Sequence, residues 1–229
     1  MTTLNNSQPN TLLEQTVSTA SKWLAGFSIV LTIYALFQVI LPGLEVRGII
    51  SVGDKIAWYM TRSSGLVAYF LLAGSTMWGL LLSTKIVKNL IPAPLSLAMH
   101  NYLSWTAIGL SLFHAGILLF DKYYTYTLTN LLVPFTGPYE PGWVGLGIIS
   151  LYLMTLISAS FSWRKWLGNK NWRRLHYLSF VGYIMITLHG VMAGTDSGNF
   201  GMSLVYLGSG LAVFFLTIYR ILTAAPAKR

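Results

Sequence analysis

Four histidines, and only four, stand in this 229-residue chain. His100 and His114 lie fourteen positions apart in "MHNYLSWTAIGLSLFHAG"; His176 and His189 lie thirteen apart in "WRRLHYLSFVGYIMITLHG". Both stretches are strongly apolar. An imidazole in hydrocarbon must be desolvated and find a partner, so ionisable groups at such depths point to function by default. At a helical rise of about 1.5 Å per residue, either gap covers roughly 20 Å. Two helices running the same way would therefore bring the histidines to two common levels, His100 with His176 and His114 with His189. One imidazole from each of two helices is what bis-histidine ligation of a haem iron requires. A neutral imidazole bound to iron is no longer an unpaired polar group.

The elements that must hold these residues are membrane spans. The chain is 54% hydrophobic and only 9% charged, where a soluble domain is about 25% charged; its mean hydropathy is +0.60. A helix needs about 20 apolar residues to cross a bilayer. Six segments qualify: Trp23–Leu41, Ser64–Ser83, Leu97–Phe120, Gly142–Phe161, Leu175–Ala193 and Met202–Tyr219. Pro42, Pro92, Pro94 and Pro141 punctuate the joints, as helix breakers do. The expected fold is an all-α, six-helix transmembrane bundle. Residues 1–21 form a polar tail without the basic start and apolar stretch of a secretory signal, residues 22–222 the transmembrane haem domain, and residues 223–229 a second tail.

Orientation follows from the loop cations. Lys22, Lys85, Lys88, Arg164, Lys165, Lys170, Arg173, Arg174, Arg220, Lys228 and Arg229 fall on one side; Arg47, Lys55, Arg62 and Lys122 fall on the other, with Glu45, Asp54, Asp121, Glu140 and Asp196. Both termini are therefore expected in the cytoplasm, and the chain in the cell (plasma) membrane as a multi-pass protein in contact with lipid. The formal charge of +9 is a topology signal and implies no nucleic-acid partner. The absence of cysteine excludes disulfides, thiolate metal sites and iron–sulfur clusters.

The third and fifth spans run in parallel, so the haems are expected between them. Fourteen residues leave His114 about 40° from His100, while thirteen leave His189 about 140° from His176. Either the fifth helix carries a π-bulge near Gly182, or the two levels are rotated relative to each other. A haem-free, His-lined proton or metal channel is the rival reading. Such pathways normally recruit intramembrane acids, and no acid here lies clearly within a span.

On these residues the chain resembles the ferric reductase-like transmembrane domain family, which includes fungal ferric reductases, the membrane half of NADPH oxidases and the haem subunit of the bacterial methionine-sulfoxide reductase system. The resemblance runs from about Lys22 to Tyr219 and includes Trp105, the His189-Gly190 dipeptide and Arg62 in "TRSSGLVAYFLL". It implies two b-type haems on His100, His114, His176 and His189. It also implies one-electron transfer from a cytoplasmic donor to an acceptor outside, with ferric iron the leading candidate and a periplasmic reductase partner close behind. The oxidases carry a further histidine where this chain has Leu118, and "ILTAAPAKR" leaves no flavin or nicotinamide domain after the sixth span. Electrons would then come from a cytoplasmic flavoprotein reductase, a quinol, or FMN or FAD bound by this chain or a partner.

Supporting residues follow. Arg62, at the outer mouth of the second span, is expected to contact a haem propionate; the plain alternative is an arginine snorkelling to headgroups. Arg173 and Arg174, within a turn of His176 in the basic stretch "WRKWLGNKNWRR", could hold an inner propionate or dock an acidic donor. Their plain role is anchoring at the interface. Trp105 lies between the two levels, with core filling the plainer role. Gly109, Gly116, Gly182 and Gly190 suit close approach to a macrocycle or simple helix packing. The loop "LLVPFTGPYEPGW" would cap the outer level, and Asp121 and Glu140 could attract a cationic acceptor.

Overall fold

The computed structural model describes residues 55–84, 86–87 and 90–223; the first expected span, Trp23–Leu41, lies outside them. Among the described residues there are five long helices, one short helix and no strand. The long helices are α1 (Ile56–Thr84), α2 (Ala93–Gly116, continued as a 3₁₀ turn to Phe120), α4 (Pro141–Ser160), α5 (Arg164–Ala193) and α6 (Phe200–Leu222); α3 (Leu128–Leu132) is a short loop helix. All five are long and apolar enough to cross a membrane. They coincide with the second to sixth expected spans, α1 and α5 beginning several residues earlier than the hydropathy suggested.

Local chemistry sets the helix ends. Pro92 caps α2 with Pro94 in its first turn, and Pro141 opens α4, positions where the missing N–H costs nothing. Asn199 caps α6 by accepting from the Gly201 N–H at 2.9 Å. Gly168 (φ 74°, ψ 147°) interrupts α5 near its start, a backbone region open to glycine and strained for other residues. From residue 169 to 193 the helix is unbroken. No π-bulge occurs near Gly182, so of the two ways to reconcile the thirteen-residue spacing, rotation of the two levels is the one compatible with this backbone.

α1 packs along α2, and α4 along α5, while α1 also touches α6 and α5. The core is Tyr69, Leu72, Ala73, Leu80, Ala107, Met154, Ile157, Tyr183 and Val213. Buried serines at Ser96, Ser150 and Ser160 let helices approach closely, as small residues do in membranes. Leu207, Leu211, Phe214 and Phe215 of α6 are all more than half exposed, a face suited to lipid.

The described charges separate along the bundle axis. Arg164, Lys165, Lys170, Arg173, Arg174 and Arg220 lie towards one end; Lys55, Arg62 and Lys122 lie towards the other with Asp121, Glu140 and Asp196. These are the basic end and the acidic end below.

Candidate functional site

The helices that carry the histidines, α2 and α5, scarcely touch each other. α1 and α4 hold them apart. Across the resulting gap the four imidazoles meet as two pairs. His100 and His176 have ring centres 6.0 Å apart and planes at 76°; His114 and His189 have centres 6.1 Å apart and planes at 79°. Direct hydrogen bonding between two imidazole nitrogens, at about 2.9 Å, would bring the centres to roughly 5 Å. A metal between them, with metal–nitrogen bonds of about 2.0 Å on each side, would set the centres roughly 6.2 Å apart. Both pairs match the second spacing.

Three of the four rings are oriented by backbone. His114 Nδ1 lies 2.7 Å from the Thr61 carbonyl, His100 Nδ1 3.0 Å from the Ser75 carbonyl, and His189 Nδ1 3.0 Å from the Trp143 carbonyl. A carbonyl only accepts, so Nδ1 carries the proton and Nε2 keeps its lone pair. Donation from the remote ring nitrogen is the usual support of a metal-binding histidine. His176 has no such bond among the described residues. Instead Trp172, one turn earlier, stacks on it at 5.2 Å and 21°.

The acidic-end pair opens into a cavity of about 870 Å³ that includes His114, His189, Ala107, Ile108 and Met154 in its walls, within the range of about 300–1,000 Å³ typical of cofactor sites. Tyr124, Tyr126, Leu131 and Tyr139 line it from the loop between α2 and α4. Tyr139 Oη donates to the Ala193 carbonyl at 3.1 Å, and Tyr152 Oη to Leu132 at 2.6 Å. These bonds pin the loop to the helices. Burial, with Asp121 nearby, pushes the Tyr126 phenol up to about 12; burial beside Glu140 raises Tyr139 as well. Asp121 spends its Oδ1 on the backbone N–H groups of Tyr123 and Tyr124, at 2.7 and 2.9 Å.

Arg62 stands at the cavity mouth. Its Nε donates to Asp196 Oδ2 at 2.7 Å, its Nη2 pairs with Oδ1, and its guanidinium lies 4.0 Å over the Trp58 ring. This bidentate pair ties the start of α1 to the turn between α5 and α6. The other expected residues are placed differently. Trp105 is 44% exposed on α2 and lines no part of the cavity. Arg173 and Arg174 are exposed near the basic-end pair. Gly109 and Gly116 face open space, while Gly182 abuts Met154 and Gly190 the Tyr206 hydroxyl.

Sequence reasoning missed the residues on α1 whose carbonyls accept from the histidines, Thr61 and Ser75. Their fourteen-residue separation repeats that of His114 and His100 on the antiparallel neighbour, a signal that was available. It also missed Trp172, and Asp196 as the partner of Arg62.

No family model matches the chain, and neither a curated protein nor a solved structure shows significant similarity to it. The site is therefore weighed on its own chemistry. Among the described residues no three His, Cys, Asp or Glu side chains converge on one point. The described residues thus bring two imidazoles to each level, the number an iron would need were a porphyrin to supply the other four. Two buried polar atoms without partners lie beside the levels. Thr61 Oγ1 belongs to a residue of the cavity wall, and Trp172 Nε1 to the ring stacked on His176. The spacing of the pairs, the apolar cavity and these orphaned atoms fit a haem.

Proposed function

We propose that this protein is a transmembrane b-type cytochrome of the ferric reductase-like kind. It binds two haems, one on His100 and His176, the other on His114 and His189, between the third and fifth spans. When bound, haem supplies one-electron oxidation and reduction at two depths of the membrane. The observation that carries this reading is the pair of imidazole–imidazole spacings, 6.0 and 6.1 Å, across helices that scarcely touch.

The chain's own residues do the rest. The Thr61, Ser75 and Trp143 carbonyls hold three imidazoles in the tautomer with Nε2 free for a metal. Ala107, Ile108 and Met154 keep the acidic-end cavity apolar, and the Tyr124–Tyr139 loop restricts water from its side. Arg62 offers a guanidinium at the mouth, already oriented by Asp196 and Trp58, and suited to a carboxylate such as a propionate. With the basic end cytoplasmic, electrons enter near His100 and His176 from a flavoprotein reductase, a flavin or a quinol, and leave near His114 and His189. Ferric iron is the proposed acceptor.

The test is a dithionite-reduced minus oxidised spectrum of the purified protein, with haem quantified per chain. Two low-spin b haems, one lost in His114→Ala, are expected. No haem after expression with ample haem supply would overturn the reading and return the His-lined channel.

A further inference from the structure

Three of the imidazole N–H bonds share one construction. The accepting carbonyls belong to Thr61, Ser75 and Trp143, and four residues later in the same helix stands a glycine each time: Gly65, Gly79 and Gly147. A helical carbonyl already accepts from the N–H four residues on. Its second lone pair remains available. Yet the side chain of that later residue covers the turn N-terminal to its own Cα, which is where the carbonyl emerges. Glycine leaves the place bare.

The histidines occupy it. A Cβ added to Gly65 would stand 2.7 Å from His114 Nδ1 and 2.8 Å from its Cε1. One added to Gly147 would stand 2.9 Å from His189 Nδ1, and one added to Gly79 3.0 Å from His100 Cε1. By contrast, Gly74 on α1 and Gly109 and Gly116 on α2 would meet nothing within 4 Å. Other glycines have close neighbours too, Gly145 the Phe135 ring and Gly190 the Tyr206 hydroxyl, but the three that meet an imidazole are the three that stand four residues after an accepting carbonyl.

We propose that Gly65, Gly79 and Gly147 are positioning residues, each uncovering one helix carbonyl so that the opposing histidine donates its Nδ1–H there and keeps Nε2 free as a metal ligand. His176 lacks the device and relies on Trp172. The consequence for cofactor binding rests on the haem reading above; the tautomer consequence does not.

Because the chain has four histidines, ¹⁵N-histidine labelling of the full-length protein resolves each ring, and the shifts report tautomer and Nδ1–H bonding in the reduced, diamagnetic state or without haem. Wild type should show the Nδ1–H tautomer at His100, His114 and His189. Without haem, Gly65→Ala should change the His114 signals alone among the four; with haem, it should weaken retention at that level by about 10- to 100-fold, the usual effect of losing a ligand's hydrogen-bond support. Gly79→Ala should do the same, more mildly, at His100; it keeps the comparison readable if Gly65→Ala does not fold. Gly109→Ala should alter neither readout. Unchanged histidine signals in folded Gly65→Ala or Gly79→Ala, or equal shifts in Gly109→Ala, would overturn the proposal. A haem-free wild type would overturn the cytochrome reading, while the ¹⁵N signals would still decide the role of the glycines.

Discussion

The two histidine levels have nearly the same spacing but are built by different means. At the acidic end both rings are fastened to backbone, His114 to Thr61 and His189 to Trp143, and both face a cavity of about 870 Å³ lined in part by loop tyrosines. At the basic end only His100 is so fastened, and His176 is steadied by the Trp172 ring. A hydrogen bond to a helix carbonyl fixes both position and tautomer. Stacking fixes the plane of a ring but leaves the choice of protonated nitrogen open. The acidic-end pair is thus the more fully specified pair of imidazoles, and the basic-end pair the more adaptable.

That contrast can be broken most forcefully at His189. On the proposed two-haem reading, His189→Ala should remove the acidic-end haem and leave the basic-end one, halving haem per chain in the difference spectrum; loss of both would show the levels to be one cooperative unit. Trp172→Ala comes next. An aromatic stack is worth about 1 kcal/mol, so haem retention at His176 should fall roughly fivefold while the other level is untouched, and Trp172→Phe should restore most of it. Equal effects at both levels would erase the distinction. Asp196→Asn should cost about 1 kcal/mol, since the pair is partly exposed, lowering Tm by about 2–4 °C in a detergent melt, with any spectral change confined to the acidic-end haem.

The smallest effect concerns the loop. Tyr126 is held neutral in the folded protein, its phenol pushed up to about 12 from an ordinary value near 10. The folded state thus binds this proton more tightly than the unfolded chain does. The stabilisation is complete below pH 10 and fades as the pH rises towards 12. Tyrosinate absorbance should show one late-titrating phenol fewer in Tyr126→Phe than in wild type, and proteolysis within the loop should accelerate over that interval; Tyr126→Phe should weaken this pH dependence, with Tyr139 carrying the remainder.

Much of this arrangement was legible beforehand. Hydropathy located the five described spans because apolar length is a strong signal, and Pro92 and Pro141 marked helix starts through a property of their own rings. The pairing of His100 with His176 and of His114 with His189 followed from helical rise. The ring supports were harder to see. Thr61, Ser75 and Trp143 act through main-chain oxygens, which every residue has, so their identities carried no chemical flag. The clue lay in glycines of matching separation, Gly65 and Gly79 on α1 against His114 and His100 on α2, and it becomes readable only once the two helices are known to run antiparallel in this register. Trp105 illustrates the converse: its position in sequence put it between the levels, but its direction on the helix turns it outward.

Arg62 and Asp196 are 134 residues apart in the chain. A ribosome working at about 5–20 residues per second needs roughly 7 to 27 s to pass from one to the other. For that interval the nascent protein already has the arginine but not the carboxylate that later engages it. His189, too, is made only near the end of the delay. The mouth of the cavity and its second imidazole are therefore completed almost together, which gives the assembly of this end of the bundle a built-in clock.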